Sequence, residues 1–299
     1  MDIERFIYEY RQDRTRKPLS PRTKQLYREY LERLDQHLRE HGISFPNLTV
    51  EEFEHFLDIQ PWGSSARYNA LAAIKAYFVW EGRGKDDPLR AHSLPRDPTG
   101  PLPTPKAQQI EKLLKSIDQR TVKGKRDFAI FVLTLETGLR ANEIATFKRA
   151  NIDLDNLEFK IRVKGGREWV TPFPASAGDV LTRWFPARDR IAVAGVEECF
   201  LALGGRRKFD DGYGPALGFP LTRHGVKQLF YERTSSAGIG RFSPHAFRRA
   251  FAVEAAARNT NLLLIKNQGR WRSVRMVEHY TQTLHMDAFR GHFGDYGEV

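Results

Sequence analysis

The chain has 299 residues, a net charge of +11 from 48 Lys and Arg against 37 Asp and Glu, and a single cysteine, Cys199. The length favours two domains, each large enough to bury a core; one cysteine excludes an intrachain disulfide or a cysteine-built metal cluster and fits a reducing cytosol. No stretch approaches the roughly 20 apolar residues of a membrane span, and the charged start Met1-Asp2-Ile3-Glu4 does not read as a signal peptide.

The whole charge excess lies beyond residue 100: residues 1–100 carry 16 basic and 16 acidic side chains, the remainder 32 and 21. Within the neutral third, Arg11, Arg14, Arg16, Lys17, Arg22, Lys24 and Arg28 stand against Asp13 alone, while residues 51–58 hold only the acids Glu51, Glu52, Glu54 and Asp58. A polarised domain joined to a basic one suits a polyanion partner.

In chain order, Ser20-Pro21 predicts a helix start, a capping hydroxyl followed by proline in the first turn. Tyr27, Tyr30, Leu31, Leu34 and Leu38 then recur at helical spacing up to Gly42. Thr49 predicts the cap of a second helix through Phe53, Phe56 and Leu57. Ser64-Ser65 precedes a third, with Tyr68, Leu71, Ile74, Tyr77 and Phe78 on its apolar face. Residues 1–92 therefore read as a small helical domain. Pro95, Pro98, Pro101, Pro103 and Pro105 make residues 93–105 an extended linker. Residues 106–299 form the second domain.

That domain opens with a helix from Lys106 to Ile117, then a buried one from Phe128 to Leu135, stopped near Gly138. Leu157, Phe159, Ile161 and Val163 alternate with Glu158, Lys160, Arg162 and Lys164, a half-buried strand. Gly165-Gly166 predicts a two-residue hairpin turn, and Trp169, Thr171 and Phe173 the return strand. Lys164 thus stands on the polar face at the mouth of the turn. Residues 204–220, rich in Gly, Pro and charge, read as a surface loop, and the chain is helical again to about residue 290. The fold class is mainly α with a small antiparallel β-sheet (α+β).

The residues with chemical potential are spread along this second domain. Ser243-Pro244 repeats the capping pattern, so His245 lies in the first turn of a helix and shares a face with Arg248, three residues on. A helix N-terminus there adds free N–H groups and partial positive charge, an anion site. Arg140 follows Gly138, and Glu143 lies at ion-pairing distance in sequence; the planar guanidinium suits phosphate. Trp271 and Tyr280 are nine residues apart. Taken singly, each residue has an ordinary structural reading: Arg140–Glu143 a structural ion pair, Lys164 a turn residue, Tyr280 a core residue behind Val274 and Val277.

Together, Thr137-Gly138-Leu139-Arg140 with Glu143, Lys164 before Gly165-Gly166, His245-x-x-Arg248, and Trp271 nine residues before Tyr280 closely resemble the tyrosine recombinase (phage integrase) family, of the simple two-domain Xer/Cre-like type. The resemblance covers nearly the whole chain, since the helix from Ser20 and Thr23 onward is similar to the start of the family's core-binding domain. It departs from the family's pattern at one place: glycine usually precedes the His/Trp position, whereas here Arg270 does, with Gly269 one earlier.

The resemblance implies a site-specific DNA recombinase that cleaves and rejoins strands. It implies Tyr280 as nucleophile forming a 3′-phosphotyrosyl link, Arg140 and Arg248 as transition-state stabilisers, and Lys164 as the acid for the leaving 5′-oxygen. His245 would handle the tyrosine proton, Trp271 would donate to a phosphate oxygen, and Glu143 would support Arg140. No cofactor or metal is called for, because arginines supply the positive charge. The implied partner is double-stranded DNA with paired half-sites, closed in a two-domain clamp, with Arg22, Lys24, Arg28 and Arg67 as DNA contacts of the helical domain. Four cytoplasmic subunits would assemble on two sites through the tail, where Met286, Phe289 and Phe293 have helical spacing. No additional N-terminal arm-binding domain is expected. The alternatives are a type IB topoisomerase-like DNA-relaxing enzyme, a catalytically idle DNA-binding relative, and a metalloprotease. The last rests on His37-Leu38-Arg39-Glu40-His41, a His-x-x-Glu-His pattern without a third ligand.

Overall fold

A helix precedes the first one that the sequence periodicity predicts: α1 (Ile3–Gln12) places Ile3, Phe6 and Ile7 in a core. The computed structural model describes residues 1–12, 19–94, 102–162, 168–209 and 212–281. Among these residues the chain is mainly helical with two small antiparallel sheets, and it divides into two compact units, Met1–Thr99 and Gly100–Val299.

In the first unit, α2 (Pro21–Glu40) starts as the sequence predicts, with Ser20 Oγ accepting the Thr23 amide at 3.1 Å. Thr49 and Glu52 form a reciprocal capping box on α3 (Val50–Ile59). The next helix, α4 (Ser64–Trp80), is capped by Gly63, so the serines lie inside its first turn. A short α5 (Pro88–Ala91) closes the unit. Phe6, Leu31, Leu34, Phe53, Phe56, Ile74, Tyr77 and Phe78 form its fully buried core. The His-x-x-Glu-His pair belongs to this packing: the His37 and His41 rings lie 4.1 Å apart, His37 is buried beside Phe56, and His41 Nδ1 donates to the His37 carbonyl.

The second unit begins with α6 (Ala107–Lys115) and the central α7 (Val122–Thr137), followed by α8 (Ala141–Thr146). Thr121 caps α7 at one end, and Gly138 ends it at the other in the left-handed region, φ +61°. Buried Asp127 is held between Arg126 and Arg233, both at 2.6 Å, which anchors α7 to a later helix. The sheet has the order β1-β2-β3, from β1 (Ile152–Asp153), β2 (Glu158–Arg162) and β3 (Glu168–Pro172). Phe159 and Ile161 turn inward as predicted, and Arg162 pairs with Glu168 at the open end. Leu157, predicted as a strand residue, instead has φ +53° and turns the chain into β2. The Gly165-Gly166 turn and Lys164 lie outside the described residues.

After α9 (Ala175–Ile191), the described residues of 204–220 are largely exposed, as a surface loop would be, but they are not without regular structure. They contain a hairpin, β4 (Arg206–Phe209) with β5 (Gly212–Pro215), seated by Phe209 against Phe219 at 5.2 Å. Four helices follow among the described residues: α10 (Arg223–Ser236), α11 (Pro244–Ala257), α12 (Leu262–Gln268) and α13 (Val274–Thr281). The tail from residue 282 onward lies outside the described residues. Among the described residues, no helix is long and apolar enough to cross a membrane.

Candidate active site

Four chain segments that are distant in sequence meet at the C-terminal end of α7. The left-handed turn at Gly138 directs the chain sharply into α8, with Arg140 as its N-cap residue. A Cβ on Gly138 would lie 2.8 Å from the Phe251 ring, so glycine is needed both for the turn and for the close approach of α11. Glu143, three residues later, is buried and reaches back: Oε2 accepts the Arg140 amide at 2.8 Å and Oε1 accepts Arg140 Nη1 at 2.6 Å. The sequence-predicted ion pair is therefore real, and it is also a helix cap.

From α11, Arg248 enters the same turn and is only 1% exposed. Its Nη1 donates to the Gly138 carbonyl and its Nη2 to the Gly269 carbonyl, so it links the ends of α7 and α12. The Trp271 ring covers it, with the guanidinium carbon 4.4 Å from the ring centroid. Trp271 in turn stacks on Phe251, interplanar angle 13°, and touches Tyr280 at 5.8 Å between ring centroids. Tyr280 lies on α13 and is partly buried.

The third guanidinium was marked in the sequence only as a departure from a pattern. Arg270 adopts φ +56°, the left-handed conformation that a glycine takes without strain, and is itself buried. Its Nη2 donates to Glu143 Oε2 at 3.1 Å and its Nη1 to Thr171 Oγ1 on β3 at 3.2 Å. Its carbonyl accepts Arg140 Nη2 at 2.9 Å.

Charge dominates this pocket: three arginines surround one carboxylate. Burial favours the neutral form of Glu143, but Arg270 and Arg140 outweigh it and hold the carboxyl below its usual range. Burial, then repulsion from Arg140 and Arg270, pushes the Arg248 guanidinium well below its ordinary value. Its Nε, and that of Arg270, have no partner among the described residues. Such a cluster is relieved by an anion, and a phosphate diester matches its donors.

His245 stands one turn before Arg248 on α11 with Ser243 as the N-cap, as predicted, but its ring is exposed where Arg248 is enclosed. Partial desolvation, then Arg248, Arg249 and Arg140, pushes its imidazole below the ordinary value. For so open a ring, the three positive charges are the firmer cause. Arg140 also lines an open groove of about 960 Å³ that includes Lys148, Lys160, Arg162 and Asn142. Lys164 lies between β2 and β3, outside the described residues, but Thr171 and Pro172 at the base of that hairpin are bonded to Arg270 and Gln268. In the first unit, Arg28 forms a two-point ion pair with Glu4 and Arg67 pairs with Asp58, whereas Arg22 is exposed and bonds the neutral Gln25. Lys24 is half-buried on α2.

Comparison with known proteins identifies the fold and the family. The chain is 25% identical over 271 residues to the tyrosine recombinase XerD of Neisseria meningitidis, covering 90% of this chain and 89% of that protein. It is 26% identical to XerC of Roseiflexus castenholzii, covering 97% and 91%. Among solved structures, XerH recombinase bound to a palindromic difH substrate superposes with a TM-score of 0.72 at 18% identity, over 89% of this chain and 78% of that one. The Tn1549 transposon integrase bound to transposon-end DNA gives 0.70 at 17% identity, over 96% and 99%. These two structures share the fold. Residues 105–286, more than half of the sequence, match the phage integrase family, and the chain belongs to that family, the tyrosine recombinases.

Proposed function

We propose that this enzyme is a site-specific DNA recombinase that exchanges strands through a 3′-phosphotyrosyl intermediate on Tyr280. One observation carries the reading: the Trp271 indole bridges the three-arginine pocket and a phenol, with the Arg248 guanidinium 4.4 Å from its centroid and the Tyr280 ring 5.8 Å away.

Tyr280 Oη attacks the scissile phosphorus, its proton passing to His245, whose lowered pKa favours the neutral imidazole. Arg140 and Arg248 hold the non-bridging oxygens as charge develops on them. The bond to the 5′-oxygen breaks, and Lys164 protonates that oxygen. A 5′-hydroxyl from another strand then attacks the phosphotyrosine, releasing Tyr280 and conserving the bond energy. Trp271 packs the pocket and offers its indole N–H to a phosphate oxygen. No finding favours the topoisomerase alternative.

The helical unit would grip the duplex, with Arg22, Lys24, Arg28 and Arg67 facing phosphates across half-sites, in a cytoplasmic tetramer on two sites. The tail would join subunits: removing residues 286–299 should spare half-site binding and abolish synapsis in a band-shift assay. Wild-type rates of complete recombination from the truncated protein would overturn that role. The central test is covalent capture of a nicked substrate. The wild type should form a denaturant-stable adduct and Tyr280→Phe none, with DNA binding retained; an adduct from the variant would remove Tyr280 from its role.

A further inference from the structure

The strongest unassigned feature of the molecule is Arg270. Its side chain is 3% exposed, so it does not reach a bound strand itself. A cation so enclosed, on a residue with a Cβ in the left-handed region, persists only where its contacts over-determine it. Those contacts reach three parts of the site. The side chain bonds Glu143, the Thr137 and Gly138 carbonyls at 3.3 Å each, and Thr171 of β3. The main-chain carbonyl fixes Arg140 Nη2.

We propose that Arg270 is a positioning residue that shares the charge of Glu143, leaving the charge of Arg140 for the phosphate, and ties the β2–β3 hairpin to the arginine pocket. The proposal rests on the reading above that Arg140 engages the scissile phosphate. The electrostatic logic follows from one carboxylate facing two guanidiniums, Arg140 at 2.6 Å and Arg270 at 3.1 Å. Without Arg270, all of the carboxylate charge falls on Arg140 and cancels what it presents to DNA. Glycine at this position would satisfy the backbone but not the charge. This chain therefore departs from the glycine pattern by adding a side chain that the pocket uses.

The experiment is single-turnover cleavage of a nicked substrate by wild type, Arg270→Gly and Arg270→Lys. Each is run with an ordinary scissile phosphate and with a neutral methylphosphonate in its place. Arg270→Gly should slow cleavage of the phosphate substrate by about tenfold or more, a fraction of the loss for a donor in direct contact. On the methylphosphonate, which has one charge fewer for Arg140 to balance, both variants should stay within about threefold of wild type, with Arg270→Lys intermediate on phosphate. Equal losses on both substrates, or none on either, would overturn the proposal. Should Arg270→Gly not fold, the ratio for Arg270→Lys decides in the same way. An absent adduct from wild type would instead count against the proposed function, so the two failures are distinguishable.

Discussion

Arg248 and Trp271 form a stacked pair, the guanidinium carbon 4.4 Å from the indole centroid, and the pair closes the pocket on the side of Tyr280. The indole excludes water from a cation that is already 1% exposed. Trp271 thus has two roles, one in the fold and one at the phosphate. Trp271→Phe should retain a ring over Arg248 and a native fold. Trp271→Ala leaves a void among Phe251, Ala255, Ile265 and Val277 and should cost about 3–5 kcal/mol, read from urea unfolding midpoints. A stable Trp271→Ala protein would show that the small cluster repacks without the indole.

Arg140 and Arg248 should separate in their effects on stability. Either change to Ala should slow cleavage by about 10²-fold, the scale for one lost transition-state donor. The Arg140 side chain is 38% exposed, and Glu143 keeps Arg270 as a second partner, so loss of Arg140 should cost less stability than that of Arg248. Arg248 satisfies the Gly138 and Gly269 carbonyls, and its loss should also destabilise by about 1–3 kcal/mol. Calorimetry beside single-turnover kinetics tests both; normal cleavage with weakened DNA binding would make the arginines grips only.

Lys164→Ala should be rescued by a substrate whose leaving 5′-oxygen is replaced by sulfur, because a thiolate departs without a proton. Cleavage rates on the two substrates decide the matter. Equal damage on both would mean that Lys164 positions DNA and does not protonate it.

The lowered pKa of His245 predicts the pH dependence of the first step. A neutral imidazole accepts the phenol proton, so the cleavage rate should fall only as pH drops below about 6.5, the ordinary histidine value, and His245→Ala should lose that acid limb. Stability follows the same direction. Between the ordinary and the lowered pKa, the unfolded chain binds a proton that the folded one does not. The His245 contribution is thus full above about pH 6.5, is lost as pH falls through that window, and is constant below it. An acid limb unchanged in His245→Ala would assign the titration to another group.

Local signals made most of this site legible. Ser20, Thr49 and Ser243 cap the helices they announce, Gly138 stops α7, and Phe159 and Ile161 alternate into the core. The Arg140–Glu143 pair was readable because its partners are three residues apart. What escaped depends on long-range packing. The β4–β5 hairpin is held by Phe209 on Phe219, and composition alone hides it among glycines and charges, although Asp211-Gly212 is a turn signal. Helix α1 is short and is fixed by distant partners, Met1 to Asp35 and the Asp2 amide to Tyr77 Oη. Arg270 was visible as an oddity, but its role depends on Glu143 and Thr171, which lie 127 and 99 residues away.

The packing of Trp271 on the turn before it gives the last prediction. A Cβ placed on Gly269 would meet Cζ3, Cε3 and Cη2 of Trp271 at 2.0, 2.3 and 2.6 Å. All three atoms belong to the six-membered ring of the indole, and imidazole has no counterpart to them. Gly269→Ala should therefore displace Trp271 from Arg248, and overpacking of this kind costs about 1–3 kcal/mol. The carbonyl that Arg248 bonds belongs to the same glycine, so cleavage should fall as well. In a Trp271→His background the clash is removed and Gly269→Ala should be nearly silent. A double-mutant cycle would then show a coupling of about 1 kcal/mol or more, as contacting residues do. Additive effects of the two changes would mean that the turn relaxes without moving the indole, and that the close approach of Trp271 to Gly269 does not hold Arg248 in place.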